Sequence, residues 1–354
     1  MMLADLEALV RLESPTQDLE ACKDVVNLAN QIAERVLGSP AQIHDVNGRP
    51  IFWWGSPNPE VIVLAHLDTV WPKGSFQPLW QVEGTTARGP GVFDMKAGFI
   101  QALYAMKAIK GPVALVATTD EETGSLTSKG FIKEISAKAK SVLVVEASLD
   151  GKVKTGRKGT AMYQIKISGK ASHAGLEPEK GVNSTIEMAH AVIAVSNLSN
   201  EVFGTTVVPT TLTAGNSTNT VPDLAVLDVD IRSFSMAELE RVDAAIKSIV
   251  PVNAETTYEV TGGFNRPPLE SSSTMDLYER AEKVAKEIGM PALGHASVGG
   301  ASDGNFAAAA GAQVLDGLGA VGSGAHAKHE WVDISTLEDR SKLLNALIKD
   351  LLNE

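Results

Sequence analysis

The order of apolar patterns along this chain predicts an α/β fold with a smaller unit inserted into it, and three observations carry the expectation. Continuous apolar runs at 61–65 (VIVLA), 113–119 (VALVATT) and 142–145 (VLVV) show no polar alternation, the mark of strands buried on both faces of a largely parallel sheet. From Met162 the pattern changes to alternation, AMYQIKISG, as in a sheet covered on one face only. After GGFNRPP at 262–268 the first pattern returns, with QVLDGLG as a further strand. The expected class is therefore α/β, a mostly parallel mixed sheet flanked by helices, interrupted by a β-α-β-β-α-β (ferredoxin-like) unit. The expected boundaries are 1–159, 160–263 and 264–354.

The elements follow in order. Residues 2–36 read as two helices: LADLEALVRL breaks at SPT, and QDLEACKDVVNLANQIAERVL resumes apolar spacing near 3.6 until Gly38 and Pro40 end it. A crossover helix, Met95 to Lys110, joins the first two buried strands. The inserted unit continues with a helix at about 181–198, strands at about 206–215 and 224–233, a helix at 236–249 and a strand at 255–261. Ser235 and Glu238 are spaced as a capping box for that second helix, and Met236, Leu239, Val242, Ile246 and Ile249 mark its apolar face. A second such spacing, Ser335 to Glu338, opens a C-terminal helix. There is no internal repeat or low-complexity segment.

At 354 residues the chain is long enough for more than one core. Lys and Arg number 31 against 43 Asp and Glu, a net charge of −12, which argues against nucleic acid or an anionic membrane as partner. Cys22 is the only cysteine, which excludes an intramolecular disulfide and a thiolate zinc cluster. With no long apolar run at the N-terminus and no 18-residue uncharged apolar stretch, a cytoplasmic protein is expected.

Chemistry-bearing residues fall at the ends of the apolar runs, where an α/β sheet presents functional side chains. His66 and Asp68 close VIVLAHLD, and Asp94 sits in the turn-rich ARGPGVFDMKAG. Asp120, Glu121 and Glu122 follow VALVATT, Glu146 ends VLVVE, and His326 lies in the glycine-rich GSGAHAKHE. Imidazoles and carboxylates without a thiolate suit zinc, cobalt or manganese in a hydrolytic site. Asp68 is placed to take the second ring N–H of a metal-bound His66. Of two adjacent glutamates, one can ligate while the other takes a proton from water. Each residue also has a plainer reading. His-x-Asp occurs as a surface turn pair, Asp94 as an N-cap for a helix from Met95, and three consecutive acids as a solvated helix start. Glu146, a charge ending a fully apolar strand, is costly unless paired or ligated. His329 competes with His326, and His173 in GKASHAGLEP, read alone, is structural.

Taken together and in order, AHLDTV, GPGVFDMKAG, DEETGS, VVEAS, GKASHAG, GNSTNTVPDLA with its following IR, GGASDG and GAHAKHEWVDIS resemble the M20 family of metallopeptidases, in its glutamate carboxypeptidase (carboxypeptidase G2-like) branch. The resemblance covers nearly the whole chain. It implies a catalytic zinc-peptidase domain, with the inserted unit as a dimerisation domain, and two Zn2+ per chain for which Co2+ or Mn2+ can substitute. By position, it assigns His66, Asp94 and Glu146 to one metal, and Asp94 as bridge, Glu122 and His326 to the other. Glu121 becomes the general base and Asp68 the orienting partner. HAKHE resembles the family's H-x-x-x-E, which selects His326, although His329 stands where the family often has Asp or Asn. A cis peptide bond after Asp94 is implied as well.

Glu rather than Asp at 146 resembles carboxypeptidases and deacylases acting beside a free carboxylate. Arg232 is the first choice to hold that carboxylate, with Lys152 and Arg266 behind it. Gly299, Gly300 and Ser302 are further donors. In a symmetric dimer, His173 and Asn219 match residues that reach the neighbouring subunit's site, His173 as donor to the oxyanion. The expected reaction is hydrolysis of an amide or peptide bond in a small peptide or N-acyl amino acid, releasing a C-terminal amino acid, glutamate in first place. The rivals are an N-acyl-amino-acid deacylase of the acetylornithine deacetylase or succinyl-diaminopimelate desuccinylase kind and, from another class, a non-catalytic metal-binding homologue.

Overall fold

The computed structural model describes residues 1–353. Helices α1 (Met2–Arg11) and α2 (Leu19–Leu37) open the chain. The side chain of Asp18 caps α2 by accepting from Ala21 N at 3.0 Å, and Gly38 ends it at φ 81°, in the left-handed region glycine tolerates. A hairpin follows, β1 (Gln42–Val46) and β2 (Arg49–Gly55), turned by Asn47 and Gly48 at φ 50° and 85°. Next come β3 (Val61–His66), α3 (Ala97–Ala105), β4 (Val113–Thr118), α4 (Lys129–Ser136), β5 (Ser141–Val144) and β6 (Val153–Arg157).

The inserted unit contains β7 (Gly159–Ser168), α5 (Ser184–Ser196), β8 (Thr206–Ala214), β9 (Leu224–Ser233), α6 (Met236–Lys247) and β10 (Thr257–Arg266). The chain then returns through α7 (Met275–Glu287), β11 (His295–Val298), α8 (Asp303–Ala309), β12 (Gln313–Leu315) and α9 (Leu337–Leu352). Two compact units result, Met1–Arg157 with Leu269 onward, and Lys158–Pro268. The second boundary lies beyond 263 because β10 stays paired with β7 as far as Arg266 and Thr160.

In the larger unit six strands form one sheet in the order β1-β2-β4-β3-β5-β12. β3 is parallel to β4 and β5, and β12 to β5, while β1 and β2 are an antiparallel edge, so the sheet is mixed but mostly parallel at its centre. All six residues of β3 are buried. Val61, Val63 and Ala65 join one core with α1, α2, α3 and α9, while Ile62 and Leu64 join a second with Ile132 of α4 and Phe306 of α8. Strand alternation therefore splits a continuous apolar run between two helical layers. Truncating Leu64 to Ala would cost about 3 kcal/mol, as core deletions do.

The smaller unit is a four-stranded antiparallel sheet in the order β8-β9-β7-β10. β7 and β8 both run antiparallel to β9, so they are parallel to each other and α5 joins them as a split crossover. Tyr163, Ile165, Leu227, Val229 and Ile231 face Met188 of α5 and Leu239, Val242 and Ile246 of α6. Met236 and Ile249 pack at the margin of the same core, completing the predicted face of α6.

Neither capping box forms. Ser235 precedes α6 without a side-chain cap, and Glu238 instead pairs with Arg241 and accepts from Thr205 Oγ1. Before α9 it is Asp333 that accepts from Ser335 N, at 3.0 Å. The crossover helix begins at Ala97 rather than Met95, so Asp94 caps nothing. No helix among the described residues is long and apolar enough to cross a membrane.

Candidate functional site

Parallel strands β3, β4 and β5 end on the same side of the sheet, and the acids and imidazoles of the sequence motifs stand there. His66 is the last residue of β3, Glu121 and Glu122 form the turn after β4, and Glu146 follows β5. Asp94 lies in the tight turn at 92–96, where the Asp94–Met95 peptide bond is cis. His326 comes from a turn near the C-terminus, at φ 61°.

These side chains converge. His66 Nε2 is 3.3 Å from Asp94 Oδ1 and 3.7 Å from Glu146 Oε1. His326 Nε2 is 3.4 Å from Asp94 Oδ2 and 2.9 Å from Glu122 Oε2. Asp94 thus presents one oxygen to each imidazole. Glu121 belongs to the same cluster, its carboxylate gathered with His66 and Glu146. Asp68, fully buried, lies behind His66, with its backbone carbonyl oxygen 3.1 Å and its Oδ1 3.4 Å from Nδ1. It also accepts from Thr16 Oγ1 at 2.7 Å and from the backbone N–H groups of Glu121 and Glu122 at 3.3 and 3.2 Å. Asp120 serves the turn instead, its Oδ2 accepting from Thr127 N and Ser128 N.

Crowding shows in the ionisation. Burial and the neighbouring Asp94 push Glu146 up to about 7, although Arg157 opposes them. Burial likewise raises Glu122 to about 8, with Asp94 adding to it and His326 working against it. Desolvation acts on the partly buried Asp94 as well, yet His326 and His66 hold it well below the usual carboxylate range. Asp94 and Glu122 in turn raise His326 to about 11. Asp68 would be raised by burial, but His66, Thr16 and the Glu122 N–H bring it below its ordinary value. Carboxylates crowded around two imidazoles are an arrangement that divalent cations would relieve, and two groups have donor atoms within 4.8 Å of one another: His66 with Asp94 and Glu122, and His66 with Glu121 and Glu146.

Four residues support the cluster without a signal in the sequence motifs strong enough to find them. Arg157, buried, grips Asp316 through Nε and Nη2 at 2.7 and 2.8 Å and donates from Nη1 to Gly300 O and Ala301 O. Its Nη2 is also 3.3 Å from Glu146 Oε2. Glu330 accepts from the N–H groups of Gly91, Phe93 and Asp94 and from Trp71 Nε1, which holds the turn carrying Asp94. The H-x-x-x-E spacing points to Glu330 only as a marker for His326. Lys96 donates to Leu9 O and Leu12 O and so ties that turn to the end of α1; burial lowers its ammonium to about 7. Thr16 reaches Asp68 from the α1–α2 turn.

The remaining sequence candidates have other surroundings. Ser302 is fully buried and its hydroxyl donates to Asp316 Oδ2 at 2.6 Å while accepting from Gly304 N, so it caps α8 and is no spare donor for a ligand. Gly299 and Gly300 are in the loop that Arg157 holds. Lys152 is exposed in the turn after Leu149. His329 is exposed and, among the described residues, makes no ion pair with the cluster. Four candidates are in the smaller unit. Arg232 pairs with Asp230 at 2.9 Å on the open face of the sheet, and Arg266 is buried on β10. His173 is exposed and pairs with Thr220, and Ala174 N donates to Asn219 O at 2.9 Å. His173 Nδ1 accepts from Gly175 N and Leu176 N, both at 3.1 Å, so the neutral ring carries its proton on Nε2.

Comparison with known proteins agrees with this architecture. The model of peptidase family M20/M25/M40 matches residues 62–350. Carboxypeptidase G2 from Pseudomonas sp. (strain RS-16) is 32% identical over 99% of this chain and 89% of its own length. A succinyl-diaminopimelate desuccinylase from Thioalkalivibrio sulfidiphilus is 24% identical over 98% of both chains. Among solved structures, a tripeptidase from Staphylococcus aureus superposes with a TM-score of 0.79 at 21% identity, covering 100% of this chain and 98% of that one, a likeness of fold. The chain belongs to peptidase family M20 and is a hydrolase of that family.

Proposed function

From membership of the M20 peptidases and the geometry above, we propose that this chain is a two-metal carboxypeptidase that releases a C-terminal amino acid, glutamate in first place, from a small peptide or N-acyl amino acid. One observation carries the reading: the two oxygens of Asp94 face two imidazoles, at 3.3 and 3.4 Å, each imidazole having a further carboxylate beside it. His66, Asp94 and Glu146 would hold one zinc, and Asp94, Glu122 and His326 the other, with cobalt or manganese as substitutes. Bound there, the pair of cations supplies Lewis acidity to the scissile carbonyl and to the attacking water.

The chain's own groups do the rest. Asp68 fixes the ring of His66 through Nδ1. Glu121 takes a proton from the water as its oxygen joins the carbonyl carbon, and returns that proton to the nitrogen as the C–N bond breaks. His173 donates from Nε2 to the developing oxyanion. Arg232 binds the free carboxylate once released from Asp230, with Lys152 and Arg266 as lesser candidates and the Gly299–Gly300 backbone as further donor.

His173 and Asn219 act across a homodimer built through the inserted unit. Support for that assembly comes from β8, an edge strand, and from Ile186 and Ile193 on α5, which are 60% and 61% exposed. The likeness to desuccinylases supports a second reading, removal of an acyl group from an amino acid by the same chemistry. A screen of N-acyl and peptidyl amino acids with added zinc or cobalt, varying only the C-terminal residue, tests the first. Glutamate substrates should be turned over fastest, and indifference to the C-terminal residue would reject the assignment.

A further inference from the structure

The two imidazoles of the cluster are held in different ways. His66 ends β3, its side chain is 1% exposed, and Asp68 stands behind its Nδ1. His326 lies on a turn at φ 61°, its side chain is 55% exposed, and among the described residues its ion pairs, to Asp94 and Glu122, both run through Nε2. A ligating imidazole is ordinarily oriented by a partner on its other nitrogen. For His326 the orientation has to come from the turn that carries it.

That turn is fastened at two of the four residues that follow His326. Ala327 N donates to Gly324 O at 2.8 Å and Glu330 N to Ala327 O at 2.9 Å, which folds 324–330 on itself. Glu330, fully buried, accepts from Trp71 Nε1 at 3.2 Å. Lys328 lies over the same indole, with Nζ 5.0 Å from its ring centroid and 5.9 Å from that of Phe76, and donates to Ser75 O. Phe76, 2% exposed, meets the indole edge-on with the ring centroids 5.0 Å apart. Gly74 N donates to Glu13 Oε1 at 2.8 Å, so the 71–76 segment is itself anchored.

One indole thus holds Lys328 by its face and Glu330 by its N–H. A rigid ring suits that task because it attracts a cation and donates a hydrogen bond at once. We infer that Trp71, with Lys328, is a positioning residue for His326: the pair sets the turn so that Nε2 faces Asp94 and Glu122, and governs the ion that Asp94, Glu122 and His326 would hold rather than the one at His66. The inference rests on the two-metal reading above. A metal bond tolerates only about 0.2 Å of error in ligand distance, so a turn free to shift loses affinity before it loses its fold.

The test titrates Co2+ into the metal-stripped full chain, read by calorimetry and by cobalt absorption, for the unaltered protein, Trp71→Leu, Trp71→Phe and Lys328→Met. Trp71 is partly exposed and Lys328 is exposed, so neither substitution empties the core. The unaltered chain should take up two ions. Trp71→Leu and Lys328→Met should each weaken one of them by about 10- to 100-fold and leave the other unchanged. Trp71→Phe keeps the ring face and loses the N–H, so its effect should be smaller than that of Trp71→Leu. On a His326→Ala background Trp71→Leu should change neither ion further, because the indole acts through that imidazole. Equal weakening of both ions, an effect that persists without His326, or unchanged affinities in both Trp71→Leu and Lys328→Met overturns the inference. An unaltered chain saturated by one ion overturns the two-metal reading alone. The clamp then stands if Trp71→Leu weakens that ion and His326→Ala abolishes the effect, and falls otherwise.

Discussion

The two sheets of this chain obey the same strand geometry and distribute charge in opposite ways. In the six-stranded sheet β3 and β4 are buried along their whole length, so polar side chains stand only at the strand ends, where His66, Glu121, Glu122 and Glu146 crowd around Asp94 and shift one another's protonation. In the four-stranded sheet one face is open and polar groups run along it in pairs, the ion pairs Lys166 with Glu259 and Arg232 with Asp230 and the hydrogen bond from Gln164 to Asp228, at 2.9 to 3.2 Å. Burial on both faces concentrates charge where solvent cannot screen it, which is a condition for catalysis. Burial on one face spreads charge where pairs contribute little.

The sharpest way to break this contrast is at the adjacent glutamates. If Glu121 is the base proposed above, Glu121→Ala should lose roughly two to four orders of magnitude in turnover while retaining metal, because it then removes proton transfer but no ligand. Glu122→Ala should instead weaken metal binding; equal metal loss in both, read by elemental analysis, would refute the division of labour. His173→Ala should cost about two to three orders in kcat at unchanged metal content, as loss of an oxyanion donor does. If the dimer supplies His173 across its interface, mixing Glu121→Ala chains with His173→Ala chains should restore activity, and demonstrated subunit exchange without recovery would return His173 to a structural role.

Ion pairs in the two regions should differ as well. Arg157→Gln leaves Asp316 and Glu146 buried without their cation and should cost about 3–5 kcal/mol in denaturant unfolding and 10- to 100-fold in affinity for one metal. Lys166→Ala, on the open face, should cost less than about 1 kcal/mol. A large effect there would mean that the open sheet carries structural charge after all.

The smallest expected effect is on the pH dependence of the metal-free protein. Glu122 and Glu146 have folded values raised to about 8 and 7, so between the ordinary carboxylate range and pH 8 the folded state resists losing protons that the unfolded chain releases, and stability falls as pH rises. His326, raised to about 11, contributes stability that is full below about pH 6 and lost as pH climbs through the raised value, the same sign. Metal replaces those protons, so chelation should lower Tm more at pH 8 than at pH 6. A chelation effect independent of pH would show that the cluster is not where the metal binds.

Much of this is legible in the sequence because it is local. Continuous apolar runs identify β3, β4 and β5, alternation identifies β7, and the residues after each run are neighbours, since parallel strands bring their ends together whatever lies between them. The hairpin β1–β2 is equally local, but its signal is the two residues Asn47-Gly48 rather than an apolar run. The capping boxes at 235 and 335 show the limit of such signals, because spacing offers a hydrogen bond that Arg241 and Asp333 take over in the fold.

What only the tertiary structure decided is contact between distant segments. Thr16 reaching Asp68, Glu330 gathering the N–H groups of Gly91, Phe93 and Asp94, and Arg157 joining Glu146 to Asp316 each depend on buried groups finding whichever partner packing brings near, and no periodicity records that choice. Residue types and strand ends by themselves determined which chemistry is possible here. The close packing of helices and loops around those ends decided which carboxylate faces an imidazole, which is held by an arginine and which caps a turn, because a buried polar group must be satisfied by the neighbour that the fold supplies.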